Sequence, residues 1–133
     1  MIYALDSNIL SYVINKNPVP TKKLNRLIQE ECIVVLPLIT YYEVRRGLVA
    51  VNATTKMHLF EQLCATIGIE SLTIQDMNTA ALIYSQLKKQ GKPIEDADLL
   101  IAAQCLTRNY ALVTANTKHF EIIDGLTVVD WTV

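Results

Sequence analysis

Three carboxylates stand where apolar runs of the chain give way to polar residues. Asp6 follows the strand-like Ile2–Leu5, in Y-A-L-D-S-N-I-L. Glu43 comes soon after the β-branched run Ile33–Leu36, and Asp98 opens the apolar segment D-A-D-L-L-I-A-A-Q-C-L, with Asp96 two residues before it. Thr114 and Asn116 end and follow a further apolar run, Ala111–Thr114. Each acid taken alone reads as a helix cap, since Asp, Ser and Asn at a helix start satisfy free backbone N–H groups and favour the dipole. Taken together they imply chemistry. Two like charges near 4 Å repel by about 4 kcal/mol at an effective dielectric of roughly 20. Such a cluster is kept only with shifted pKa values, basic partners or a divalent cation. An all-oxygen set without Cys or His suits Mg²⁺ or Mn²⁺. An ion held in this way receives phosphate oxygens, activates water and stabilises charge at a scissile phosphate.

The elements that must position these groups alternate from end to end. Ile2–Leu5 reads as a strand and Ser7–Ile14 as a short helix. Thr21, after Pro20, reads as the cap of a helix through Glu30, with Leu24, Leu27 and Ile28 on one face. Ile33–Leu36 reads as a buried strand. Thr40 begins T-Y-Y-E, a capping-box pattern with Glu43, and Gly47 is positioned to end or bend that helix. Thr55–Thr66 has helical period, Ile69–Ile74 reads as a strand, and Gln75–Gln90 is a long amphipathic helix closed by Gly91. Asp96–Leu106 reads as a buried helix, Ala111–Thr114 and Leu126–Trp131 as strands. Such βα alternation implies a mostly parallel sheet covered by helices on both faces. In a parallel sheet, the acids that follow strands share the carboxyl edge, where α/β proteins bind ligands.

Composition narrows the classes. A chain of 133 residues with 51% apolar and 19% charged residues suits one ordered domain, residues 1–133. The longest apolar run, Ile33–Ile39, is broken by Pro37 and is too short to span a bilayer. No basic leader precedes an apolar segment, which points to the cytoplasm and away from membranes. Twelve basic against thirteen acidic side chains give a net charge of −1, so any nucleic acid must meet a local basic patch. Cys32, Cys64 and Cys105 form no C-x-x-C pair and read as small buried hydrophobes. His58 and His119 are isolated, and His58 reads as a surface residue.

Four segments in order then resemble one family. L-D-S-N-I-L resembles the opening strand and D-[ST]-N of PIN domains, and more narrowly of VapC-type toxins. I-T-Y-Y-E-V-R-R-G resembles their I-T-x-x-E-L-x-x-G helix. G-K-P-I-E-D-A-D-L-L-I-A-A resembles their G-x-x-I-x-x-x-D-x-x-I-A-A segment, and L-V-T-A-N-T-K-H-F with the later G-L and D-W resembles their ending. The resemblance covers nearly the whole chain. It implies a three-layer α/β/α fold, a Mg²⁺- or Mn²⁺-dependent ribonuclease, a homodimer and a small VapB-like antitoxin partner. Asp6, Glu43 and Asp98 match the three metal-site acids. Asn116 matches a fourth catalytic position where many PIN domains carry Asp. Its amide orients a water or phosphate but adds no charge, which implies one firmly bound metal. Ser7 and Thr114 match hydroxyl positions beside the acids, and Asp96 reads equally as a further ligand or a cap.

Other residues divide between roles. Arg45 and Arg46 read as contacts to RNA phosphates or antitoxin, or as a solvated helix face. Lys118 is placed to meet a phosphate near the scissile bond. Lys88, Lys89 and Lys92 gather at a helix end that already favours cations. A haloacid-dehalogenase-type phosphatase would need Asp two residues after the first, where this chain has Asn8. A receiver domain would need an acidic pair that is absent. The remaining alternative is a PIN-like module that binds RNA or protein without cutting, kept open by Asn116.

Overall fold

The structure, a computed structural model, describes all residues from Met1 to Val133. Five short strands form one sheet: β1 (Tyr3–Leu5), β2 (Val34–Pro37), β3 (Ile69–Glu70), β4 (Ala111–Val113) and β5 (Thr127–Val129). Their order is β3-β2-β1-β4-β5, and every pairing is parallel. β1 is therefore central, with Tyr3 opposite both Val34 and Ala111. Seven helices cover the faces: α1 (Ser7–Ile14), α2 (Pro18–Gln29), α3 (Leu38–Ala50), α4 (Thr54–Ile67), α5 (Ile74–Lys89), α6 (Asp96–Arg108) and α7 (Thr117–Phe120).

The alternation of side chains along a strand divides the interior into two cores. Leu5 and Val113 pack with Ile9, Leu10, Leu24 and Phe60 on one face. Ala4 and Leu112 pack with Ile83, Leu87, Ile101 and Phe120 on the other. Each fully buried Leu, Ile or Phe contributes roughly 1.5–3 kcal/mol of transfer free energy. The result is the expected α/β/α layering, with the sheet wholly parallel. No helix is long and apolar enough to cross a membrane.

Several local expectations are corrected. α2 starts at Pro18 with Asn17 as its N-cap, so Thr21 lies inside the helix. Proline at the first helical position loses no intrahelical hydrogen bond and is already set at a helical φ. α3 starts at Leu38, and Thr40 is not a cap: its buried hydroxyl donates to the Leu5 carbonyl at 2.8 Å. Gly47 lies within α3, which continues to Ala50. β3 is only two residues long, because Thr73 and Asp76 form a capping box that starts α5 at Ile74. β2 is shifted one residue later than read, and α7 is an additional short helix. Of the cysteines, Cys105 is buried, its thiol pushed up to about 12 by desolvation, while Cys32 and Cys64 are half-buried.

Candidate active site

Asp6 stands at the carboxyl end of the central strand. Its N–H donates to the Val113 carbonyl at 2.9 Å, which continues the β1–β4 ladder by one bond. Its side chain then serves two neighbours. Oδ1 accepts from the Ser7 N–H at 2.8 Å, capping α1, and Oδ2 accepts from the Thr114 hydroxyl at 2.8 Å. Only 4% of Asp6 is exposed. Burial raises its carboxyl pKa, and the hydrogen bonds from Thr114 and Ser7 offset part of that rise.

Glu43 reaches the same edge from α3. The Thr40–Leu5 hydrogen bond ties the first turn of that helix to the end of β1, next to Asp6. Oε2 of Glu43 lies 3.9 Å from Arg46 Nη2, and Oε1 is buried with no hydrogen-bond partner. Burial, then the charges of Asp6 and Asp98, hold this carboxyl above the usual range. Asp98 comes from the first turn of α6, whose Leu99 and Ile101–Cys105 are buried and fix the helix against the sheet. Burial and the Asp6 charge raise it also, and His119 Nε2, 2.9 Å from Oδ2, offsets part of that effect.

The Asp6 charge thus raises both Glu43 and Asp98, and Asp98 raises Glu43, whereas Asp6 itself is raised by burial. No three His, Cys, Asp or Glu side chains are gathered tightly enough to surround one ion. An orphaned buried carboxylate oxygen among them is a strong acceptor waiting for a partner. The donor set is all oxygen, so a hard divalent cation fits it and a thiophilic metal does not.

The remaining residues are placed as follows. Thr114 is buried beside Asp6 and also accepts from the Asn116 N–H at 3.0 Å. Asn116 is exposed at the start of α7, and Lys118 is exposed one residue beyond Thr117. Arg46 faces Glu43 and lies over the Tyr42 ring, with 5.2 Å to its centroid. Arg45 is engaged elsewhere, against Met57 and 4.0 Å from Glu61 on α4. Asp96 is exposed and lines a separate cavity with Met77, Tyr84 and Leu99. Two positions apart on a helix is about 200° of rotation, so Asp96 and Asp98 face different ways.

A family model for the PIN domain matches residues 3–126. Ribonuclease VapC1 of Haemophilus influenzae is 32% identical over 134 aligned residues, covering 99% of each chain. This chain is a PIN domain of the VapC family. The tRNA(fMet)-specific endonuclease VapC of Shigella flexneri is 27% identical, covering 97% of each chain. The solved structure of VapBC-1 from nontypeable Haemophilus influenzae superposes with a TM-score of 0.87 at 31% identity, covering both chains completely.

Sequence reasoning about this VapC-family chain missed two residues at the edge. His119 contacts Asp98, and Asn8 accepts from the Ala115 N–H at 3.1 Å while its amide lies 3.4 Å from both Asp6 and Thr114. His119 lies three residues past Asn116, about one helical turn, and that spacing was the available signal. Asn8 is the asparagine of the D-[ST]-N match, and that motif was its signal.

Proposed function

We propose that this VapC-family protein, a single PIN domain over residues 1–133, is a Mg²⁺- or Mn²⁺-dependent endoribonuclease. It acts as the toxin of a type II toxin–antitoxin pair in the cytoplasm. The observation that carries the reading is the buried, unpartnered Oε1 of Glu43 between two further carboxylates of raised pKa. A module that only binds RNA or protein would have no need to keep that oxygen unsatisfied. Asp6, Glu43 and Asp98 would hold the cation, which would supply positive charge toward a scissile phosphate and make water a stronger acid. Mg²⁺ retains several waters and takes one or two direct carboxylates, so a loosely gathered trio suits it.

The chain's own groups do the rest. Ser7 and Thr114 hold the Asp6 carboxylate in one orientation. His119 steadies Asp98. Asn116 offers an uncharged amide at the mouth for a water or phosphate oxygen, and Lys118 a cation for the RNA backbone. Arg46 screens Glu43 from the solvent side.

Metal should stabilise the fold. All three folded-state pKa values are raised, so the carboxylates favour folding while protonated. That contribution is lost as pH rises through the raised values, leaving mutual repulsion at neutral pH. A cation that binds only the native state relieves it and adds about 1.4 kcal/mol at tenfold excess over Kd. The melting temperature should rise with millimolar Mg²⁺ or Mn²⁺. Asp6→Asn should melt above the parent in EDTA and gain less from metal; an unmoved melting curve in the parent would count against the site.

The partner is proposed to be a small VapB-like antitoxin, as in the VapBC-1 structure that this chain resembles. α5 leaves Ile74 78% and Leu82 66% exposed, apolar surface that favours a homodimer. A small reading frame with a DNA-binding half should adjoin this gene. Its product should co-purify with this chain and block RNA cleavage. If it does neither, the toxin–antitoxin part of the reading falls and the nuclease part stands.

A further inference from the structure

Two cavities lie end to end and lead away from Glu43. The smaller, of about 160 Å³, has Glu43 as its single acid and runs past Ser11, Ile14 and Asn15 to Lys56. The larger, of about 620 Å³, shares Ile14, Asn15 and Lys56 and adds Lys16, Thr55 and Gln62, with no acid in its walls. The path therefore passes from a carboxylate to two cations. Lys16 and Lys56 are exposed, and neither forms a salt bridge, whereas Arg45 and Arg46 are both paired to acids.

Lys16 also occupies an unfavourable place. It follows the C-cap of α1 at φ 60°, with its N–H donating to Val13 and the Asn17 N–H donating to Tyr12. That Schellman turn normally takes glycine, which enters the left-handed region without steric cost. Glu31 makes the same turn after α2 at φ 58°, so what sets Lys16 apart is its place on the cavity wall.

We propose that this double cavity is the track for single-stranded RNA leading from the cleavage site. Lys16 and Lys56 meet backbone phosphates, Leu59 offers apolar contact to a base, and Asn15, Thr55 and Gln62 supply hydrogen bonds. The larger volume lies in the range of small-ligand pockets. Phosphate contacts of this kind set affinity and register and carry no base sequence. The inference rests on the ribonuclease reading above.

The test uses the full chain, a short fluorescent single-stranded RNA that the parent cleaves, and the variants Lys16→Gly and Lys56→Gln. Lys16→Gly should melt at a higher temperature than the parent, because the turn is relieved, yet show a KM raised about tenfold with kcat within about twofold. Lys56→Gln should raise KM similarly. Binding measured in EDTA should lose about 0.7 from the slope of log affinity against log salt for each lysine removed. If both variants keep the parent's KM and salt slope while the parent cuts RNA, the track is wrong and the nuclease reading stands. If the parent neither binds nor cuts RNA, both fall. If the variants keep RNA affinity but lose capture by the small protein encoded beside the gene, the cavities are a protein-binding groove, and the RNA track is overturned.

Discussion

Asp98→Asn is expected to lower RNA cleavage by about a hundred- to a thousandfold, the effect of removing one preorganised charge from a reacting centre. The substitution keeps the size and shape of the side chain. Its remaining oxygen can still face His119 Nε2, which lies 2.9 Å from Asp98 Oδ2. What disappears is one of the three carboxylate charges of the proposed site. Because that charge is held above its usual pKa by burial and by Asp6, its removal should not unfold the protein. The melting curve in EDTA should stay equal to the parent's or move up. RNA cleavage with Mg²⁺ or Mn²⁺ gives the measurement, with EDTA-treated parent as the zero. A variant that is folded and cuts as fast as the parent would remove Asp98 from the mechanism.

Asp76→Ala should give the largest loss of stability. Asp76 is fully buried, and Arg108 grips it with Nη1–Oδ1 at 2.8 Å and Nη2–Oδ2 at 3.0 Å. The Thr107 hydroxyl donates to it at 2.6 Å, and its Oδ2 accepts from the Thr73 N–H at 2.8 Å. Breaking a buried pair on one side costs about 3–5 kcal/mol. Glu70, 2.7 Å from Arg108 Nε, keeps the guanidinium partly matched, so the lower end of that range applies. The melting temperature should fall by roughly 10 °C. Burial alone would raise the Asp76 pKa, but Arg108, Thr107 and Thr73 outweigh it and hold it below the ordinary value. Its contribution is therefore complete at neutral pH and fades only as pH falls through that lowered value. Acid unfolding of the variant should be correspondingly flatter. Equal melting of variant and parent at pH 7 would show the network to be ornamental.

Much of the frame is legible in the sequence. α1 is bounded as read, because Asp6 caps it and the apolar spacing of Ile9, Leu10, Val13 and Ile14 faces one core. The parallel sheet follows from βα alternation, and with it the common edge for Asp6 and Thr114. Two of the errors share a physical cause: a threonine hydroxyl near an acid does not reveal its partner. Thr40 has the local pattern of a cap, but a backbone carbonyl on β1 competes for its hydroxyl and wins. The reverse happens at Thr73, where a true capping box turns an apparent strand into a helix. The His119–Asp98 contact joins α7 to α6, and no local periodicity could reveal which face each presents. Asp96 lies on a different face of α6 from Asp98, as helical rotation requires.

The central place of β1 has a consequence for biosynthesis. Tyr3 pairs with Ala111, and Asp6 takes its hydrogen bond from Thr114, 108 positions later. Contacts so distant in sequence close late, since the intervening chain must be ordered first. A nascent polypeptide therefore carries Asp6 and Glu43 long before β4 exists to seat them. A chain that stops before β4 therefore lacks the strand beside Asp6 and the Thr114 hydroxyl that holds its carboxylate.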